Sequence, residues 1–322
     1  MIPGPDPVPP PAAPPLIVVA GDALVDLIVR PDGEIAAVPG GSQFNTVRAI
    51  ARLGIPCTFV GGLSSDRFGR ALEAALADDG VDLGLVQRTE LPTTLALAEL
   101  GTDGSAAYRF YIEGTSLPAL LPGPLAGGLP PSAVALCAGS LGFVLEPVAT
   151  TLERVVAGLP EATLFVLDPN ARPSITTDAP GWRARMERLV ARADVVKAST
   201  EDLEFLRPGE PLRETAAWIA ARGPRAVLVT DGGEPVLVIV DGEVAEIPTP
   251  PVDVVDTVGA GDTFGGAFLA CLIHDGATRT ALGDRALVLR AARFAVRASA
   301  EVCRRAGASP PTLAELGGWP EP

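Results

Sequence analysis

Asp256-Thr-Val-Gly-Ala-Gly-Asp-Thr-Phe264 runs directly into Gly265-Gly-Ala-Phe-Leu-Ala-Cys-Leu-Ile273, and the second stretch has the apolar content of a buried helix. Gly259, Ala260 and Gly261 therefore fall at a helix N-terminus, where free N–H groups and the positive end of the dipole favour an anion. Glycine lets a phosphate approach the backbone closely. Asp262 stands where the helix begins, and Asp256 lies six residues earlier. Two carboxylates flanking an anion-binding turn repel the ligand that the turn attracts, unless one is a base and the other holds a cation. Plainer explanations exist for each part: Asp is a favourable first-turn residue, and a Gly-rich turn is often only a turn. A dinucleotide fingerprint would need glycine at 264, where Phe264 stands.

Composition narrows the chemistry. The 322 residues carry 39 acids against 25 Lys and Arg, a net charge of −14 that argues against a nucleic-acid binder. Lys197 is the one lysine, between Val196 and Ala198, so there is no P-loop. Any Ser-His-Asp or His-zinc site would have to use His274, whose neighbours read as the end of a buried helix. Cys57, Cys137, Cys271 and Cys303 are widely spaced and lack Cys-x-x-Cys, which predicts free thiols and a reducing compartment, the cytoplasm. Eight prolines and no positive charge in the first fifteen residues are unlike a signal peptide and predict a disordered tail over 1–15. The uncharged run from Leu117 to Leu145 contains five prolines, so a loop and a buried strand are expected rather than a membrane span.

The elements that must position these residues alternate. Apolar runs at 16–20, 58–61, 133–138, 163–167, 194–197 and 226–230 read as buried strands. Between them, 46–53, 68–77, 148–158, 182–193 and 213–222 read as helices, with Gly54 ending the first. This alternation predicts an α/β fold with a parallel sheet covered on both faces. Segments 23–38 and 94–112 break it. They read as strand pairs turning at Pro31-Asp-Gly33 and Gly101-Thr-Asp-Gly104, a small antiparallel lid. One domain over 16–311 is expected, followed by a C-terminal tail over 312–322.

Residues 256–264 resemble the C-terminal signature of the ribokinase-like (PfkB) carbohydrate kinases. Gly40-Gly-Ser-Gln-Phe-Asn45, Ala51-Arg-Leu-Gly54 and Gly61-Gly62 resemble the N-terminal signature, and Cys303-Arg-Arg-Ala-Gly-Ala-Ser-Pro-Pro311 resembles the family's closing loop. The resemblance implies a three-layer α/β/α domain with a mostly parallel central sheet and a small antiparallel β lid. It implies Asp262 as general base, with Gly259, Ala260, Gly261 and the Asp262 amide as the hole for the γ-phosphoryl group of ATP. Asp26, Gly41 and Asn45 match positions that grip sugar hydroxyls. Asn45 could equally be a helix N-cap and Asp26 an exposed lid residue. Arg172, in Asp168-Pro-Asn-Ala-Arg172, matches an arginine that approaches the phosphates and supplies the charge that lysine does not.

Ser199-Thr-Glu-Asp202 is similar to the family's Asn-x-x-Glu, which helps hold Mg2+, although the same residues make a capping box. Thr230 and Gly232 match a turn near the nucleotide. Asp256, with the backbone near Val258, Val302, Arg305 and Gly307, matches a K+ site found in many members. The wording of the signatures leans to the fructokinase-like branch. Ser42-Gln43-Phe44 replaces the ribokinase pattern, and Phe44 is expected to narrow the sugar pocket. Phe110-Tyr-Ile-Glu-Gly-Thr115 and Asp168-Pro-Asn170 point the same way, while Tyr108-Arg109 keeps an acidic sugar open. The expected partners are ATP and a small sugar, fructose first, with no nucleic acid and no membrane, and a homodimer formed through the lid. Ribose, 2-keto-3-deoxygluconate and nucleosides remain alternative acceptors. A non-catalytic binding relative and an NAD-dependent oxidoreductase remain alternative classes.

Overall fold

The computed structural model describes residues 14–101, 106–119, 125 and 127–321. In chain order the strands are β1 (Leu16–Ala20), β2 (Leu24–Val29), β3 (Ile35–Gly40), β4 (Cys57–Val60), β5 (Gly62–Ser64), β6 (Gln87–Thr89), β7 (Leu95–Leu100), β8 (Ala106–Tyr111), β9 (Ala133–Gly139), β10 (Leu164–Asp168), β11 (Val195–Ser199), β12 (Ala226–Thr230), β13 (Val236–Val240) and β14 (Glu243–Ile247). The α-helices are α1 (Ser42–Arg52), α2 (Arg67–Asp78), α3 (Val148–Ala157), α4 (Ala179–Arg192), α5 (Thr200–Leu206), α6 (Leu212–Ala220), α7 (Ala260–His274) and α8 (Arg285–Val302).

Eight strands form one sheet in the order β14-β13-β12-β11-β10-β9-β1-β4. Its strands pair in parallel except for β13 and β14, which add antiparallel at one edge. Side chains that alternate along each strand divide between two cores, as a sheet buried on both faces requires. Ile17 and Val19 enter a core with α1, α7 and α8, whereas Val18 and Ala20 enter one with α3, α4 and α6. This is the three-layer arrangement expected. α7 is buried on all sides from Asp262 to Ile273, which explains its nearly uninterrupted apolar sequence.

The lid is a second sheet in the order β3-β2-β7-β8. Its outer pairs are antiparallel, but the central β2–β7 pair is parallel, because each hairpin leaves the main domain and returns to it separately. The tip expected at 101–104 falls mostly outside the described residues, as does most of the Pro-rich segment 1–15.

Three expectations change. Helix α1 begins at Ser42 rather than Thr46, because Gly41, at φ 111°, caps it in a conformation that suits glycine. Residues 312–321 do not trail away from the fold: Trp319 stacks on His274 at 4.3 Å and tilts against Phe294 at 5.2 Å. Leu316 is buried beside them. Phe44 is fully buried in the core with Val47 and Ile50, and the guanidinium of Arg48 lies 5.3 Å from its ring centre, so Phe44 cannot narrow a pocket. Among the described residues no helix is long and apolar enough to cross a membrane. Cys57, Cys137, Cys271 and Cys303 are all free.

Candidate active site

In parallel α/β sheets, ligands bind outside the carboxyl ends of the strands. Asp22 follows β1, Asp168 ends β10, Ser199 ends β11 and Thr230 ends β12, so these residues collect along one edge. The N-termini of α1 and α7 meet there, because the two helices pack side by side.

Asp262 lies at this meeting point, in the first turn of α7, and is only 8% exposed. Its Oδ1 accepts from Ser42 Oγ at 2.8 Å and from Asn170 Nδ2 at 3.5 Å. Its Oδ2 accepts from Asn45 Nδ2 at 2.9 Å. Burial pushes its carboxyl above the usual range, while Lys197, the Asn45 and Ser42 hydrogen bonds, and Arg172 pull it back. The alternative of Asn45 as a helix cap is thereby set aside: Asn45 sits inside α1 with its amide on Asp262.

Gly259 caps α7 with φ 76°, in the left-handed region. A Cβ there would stand 2.6 Å from Ala308 Cβ, so both conformation and space call for glycine. The Ala260 amide donates to Thr257 O at 3.1 Å. It is therefore not the free donor that the sequence suggested. The amides of Gly259, Gly261 and Asp262 have no partner among the described residues, which leaves them able to receive a phosphoryl oxygen.

Asp26, on β2, is half-buried and close to Asp22. Burial and the neighbouring Asp22 push its carboxyl up to about 6. Asp22 is 2% exposed and takes Ser42 N on Oδ2 at 2.8 Å, and burial pushes it too up to about 6. Its Oδ1 and the Oδ1 of Asn45 are buried without a partner among the described residues. Each is costly unless a ligand supplies a donor, and sugar hydroxyls are such donors. Arg172 donates to Asn170 Oδ1 at 2.6 Å and its charge acts on Asp22, Asp26 and Asp262 together. Gly41 lies between α1 and the Asp22 backbone, where a Cβ would stand 2.7 Å from Asp22 O.

The residues expected near the nucleotide meet at adjoining strand ends, with Ser199 in register with Thr230. Ser199 and Asp202 form the capping box of α5: Ser199 Oγ accepts from Asp202 N at 3.1 Å and Asp202 Oδ2 accepts from Ser199 N at 2.7 Å. Asp202 Oδ1 accepts from Ala171 N at 2.5 Å. Both oxygens are thus in use, and the carboxylate ties the segment carrying Arg172 to α5. Gly232, at φ 52°, turns the chain after Thr230 and Asp231, and Asp231 accepts from Thr200 Oγ1 at 3.0 Å.

Asp256 joins two loops, its Oδ1 accepting from Val258 N at 3.0 Å and its Oδ2 from Gly307 N at 2.8 Å. Val302 O accepts from Arg305 N at 3.1 Å, and the Arg305 side chain turns outward to Glu301 and Glu315. The five residues expected around a monovalent cation are therefore close in space, with the Arg305 side chain directed away from Asp256. Among the described residues no group of three or more His, Cys, Asp or Glu is placed to hold a metal ion.

The profile of the pfkB family carbohydrate kinases matches residues 15–315. The chain belongs to the pfkB family. Among curated relatives, a fructokinase of Rhizobium leguminosarum bv. trifolii is 36% identical over 265 residues, covering 81% of this chain and 80% of the relative. Fructokinase-1 of Zea mays is 31% identical over 313 residues, covering 94% and 96%. Solved pfkB-like neighbours include the ATP-bound fructokinase of Xylella fastidiosa, with TM-score 0.82, 27% identity, and 94% and 96% of the two chains covered. The Vibrio cholerae O395 fructokinase double mutant with fructose, ADP and potassium ion aligns with TM-score 0.83 at 26% identity, covering 95% and 98%. Aminoimidazole riboside kinase of Salmonella enterica aligns nearly as well, with TM-score 0.81 and 25% identity over 94% and 98%, so backbone likeness by itself does not single out one acceptor.

Sequence reasoning missed Asp22, Ser42, Asn170 and Lys197 as parts of this pfkB site. Ser42 and Asn170 sit inside quoted motifs and Asp22 just after the first strand, and three-dimensional pairing is what brings them to Asp262 and its neighbours. Lys197 was set aside as a lone lysine in a strand. It is buried with Nζ 3.0 Å from Asp168 Oδ2, directly beneath the first turn of α7.

Proposed function

We propose that this pfkB kinase transfers the γ-phosphoryl group of ATP to a primary hydroxyl of fructose, with Asp262 as the base. The observation that carries this is a buried carboxylate at a helix N-terminus, flanked on one side by free amides and on the other by unpaired hydroxyl acceptors. The fructokinase names of the relatives support the acceptor.

In the reaction the hydroxyl proton passes to Asp262 as the hydroxyl oxygen attacks phosphorus. The bond from phosphorus to the oxygen bridging to the β-phosphate breaks, and ADP leaves. The amides of Gly259, Gly261 and Asp262 take the charge that develops on the transferred group. Asp22, Asp26 and Asn45 accept from sugar hydroxyls and fix their orientation, with Gly41 allowing close approach. Arg172 neutralises phosphate charge beside them.

Mg2+ would travel with the ATP phosphates and neutralise them. Asp202, Ser199, Thr230 and Gly232 would shape the nucleotide side, and Asp202 acts there as a tether, since its oxygens are committed. Asp256 with the carbonyls of Val258, Val302, Arg305 and Gly307 would hold K+, which adds positive field beside the free amides. We place this activity in the cytoplasm, where ATP is abundant and thiols such as Cys57 stay reduced. Residues 16–311 form the kinase unit in this reading. The lid exposes Ile35, Tyr108 and Tyr111, which supports pairing with the lid of a second copy.

ATP-dependent phosphorylation of fructose, ribose, 2-keto-3-deoxygluconate and aminoimidazole riboside, each in K+ and in Na+, tests the assignment. Fructose is expected to give the highest kcat/KM, with K+ faster than Na+ and that difference lost in Asp256→Ala. A tenfold preference for another acceptor would overturn the fructose assignment.

A further inference from the structure

Lys197 is the one lysine in the chain and is 4% exposed. Its Nζ lies 3.0 and 3.3 Å from the two oxygens of Asp168, itself buried at the end of the neighbouring strand β10. Buried pairs are weak evidence of stabilisation, because desolvating both charges offsets much of their attraction. A pair kept in such a place invites a reason in the neighbouring site. Lys197 Nζ lies 3.1 Å from the point a Cβ on Gly261 would occupy, and its Cδ 4.0 Å from the same point on Gly265. The side chain therefore packs against the turn of α7 that carries Asp262 and the free amides.

The charged and titratable groups facing Asp262 come from several elements. They are Asp22 after β1, Asp26 on β2, Cys137 on β9, Asp168 and Arg172 at and after the end of β10, and Lys197 on β11. Asp202 of α5 in turn faces Lys197 and Asp168. Arg172 and Lys197 are the cations of this set, and only Lys197 is enclosed beneath α7. A site so rich in carboxylates must still receive polyanionic ATP and keep Asp262 ionised.

We infer that Lys197, seated on Asp168, is a positioning residue for phosphoryl transfer, holding the first turn of α7 and keeping Asp262 a carboxylate. Lys197 touches neither sugar nor nucleotide in this account and acts through Gly261 and Asp262. The inference rests on the reading of Asp262 as the base. Removing the ammonium leaves uncompensated negative charge around Asp262, so its proton is released only at higher pH. Removing the Asp168 charge does the reverse, because that carboxylate and Asp262 repel each other.

The test compares wild type with Lys197→Met, Lys197→Arg, Asp168→Asn and the double variant D168N/K197M, measuring kcat, KM and the pH dependence of kcat/KM with fructose and Mg-ATP. Thermal unfolding is followed alongside. For Lys197→Met we expect kcat to fall roughly 10- to 100-fold at neutral pH with KM changed less than about threefold, and the acid limb of the profile to move up. For Asp168→Asn the acid limb moves down. Lys197→Arg recovers most of the rate, and the double variant unfolds like the wild type yet stays slow. Acid limbs that move in the same direction or not at all, or a double variant with wild-type kcat, would overturn the role. If Lys197→Met does not fold, Lys197→Arg, Asp168→Asn and the double variant still decide the matter. Wild type that phosphorylates no acceptor would contradict the functional reading instead, and the two failures are therefore distinct.

Discussion

The amide of Asn45 donates to Oδ2 of Asp262 at 2.9 Å, joining residues 217 apart in sequence. One belongs to the Gly-Gly signature at the start of α1 and the other to the Gly-rich turn at the start of α7. The bond joins the two sequence motifs at one place: in the proposed reaction, the helix on the sugar side holds the carboxylate that accepts the sugar's proton.

Replacing Asn45 by Asp keeps the shape but exchanges a donor for a second carboxylate beside Asp262. Two such groups cannot both ionise easily, so the shared proton is retained to higher pH. Asn45→Asp should lower kcat/KM for fructose by about 10²-fold or more at pH 7, with the acid limb of the pH–rate profile moved upward. Steady-state kinetics across pH 5.5–9 measure this, and an unmoved limb would contradict it.

Ser42 Oγ donates to the other oxygen of Asp262. A donor to the charged form favours that form, so its removal raises the pKa of the base. Ser42→Ala should therefore lose activity most at acid pH and least at alkaline pH. Equal losses at pH 6 and pH 8.5 would count against a direct effect on Asp262.

Asp22 carries a cost in stability. Its carboxyl stands at about 6 in the folded chain against an ordinary 3.8, chiefly through burial. The stability favoured by the protonated form is fully present below pH 3.8 and is lost as pH rises through about 6. At one pKa unit per ~1.4 kcal/mol, the charged form costs up to about 3 kcal/mol at pH 8. Asp22→Asn should raise the unfolding temperature at pH 8, not at pH 4, and should raise KM for fructose. Calorimetry at the two pH values checks the first, and equal effects at both would refute the charge argument.

Asp66 shows the opposite sign. Burial opposes its charge, but hydrogen bonds from Gly69 and Thr93, with Ser64, draw its carboxyl down to about 2. It caps α2 through Gly69 N at 2.8 Å and binds Thr93 N, just before β7, at 2.8 Å. Asp66→Ala should cost on the order of 1–2 kcal/mol at pH 7. The depressed pKa means this contribution is present above about pH 4 and lost as pH falls through about 2, so the gap from wild type should narrow across that range. Denaturant unfolding at pH 7 and pH 2.5 measures it.

The layered sheet was legible because short continuous apolar runs such as Leu16–Ala20 bury both of their faces only in a sheet covered on both sides. The edge strands β13 and β14 went unread, since Val236-Leu-Val-Ile-Val240 and its partner follow β12 without the helices that separate β9, β10, β11 and β12 from one another. Asp262, Asn45 and Gly259 were legible from two signatures. Phe44 was misplaced because the start of α1 was set four residues late, which turned the ring toward the pocket rather than the core. Lys197 and Asp168 could not be paired from sequence: each sits in an apolar strand, and only the parallel register of β10 with β11 brings them together.

The central claim is that Asp262 removes the acceptor proton. The most direct measurement is single-turnover transfer of phosphate from ATP to fructose by wild type and by Asp262→Asn, which keeps the volume and the free amides. Wild type is expected to form fructose phosphate and ADP in equal amounts, while Asp262→Asn is slower by about 10²–10⁴-fold with ATP still bound. An Asp262→Asn enzyme that transfers phosphate at the wild-type rate would contradict it.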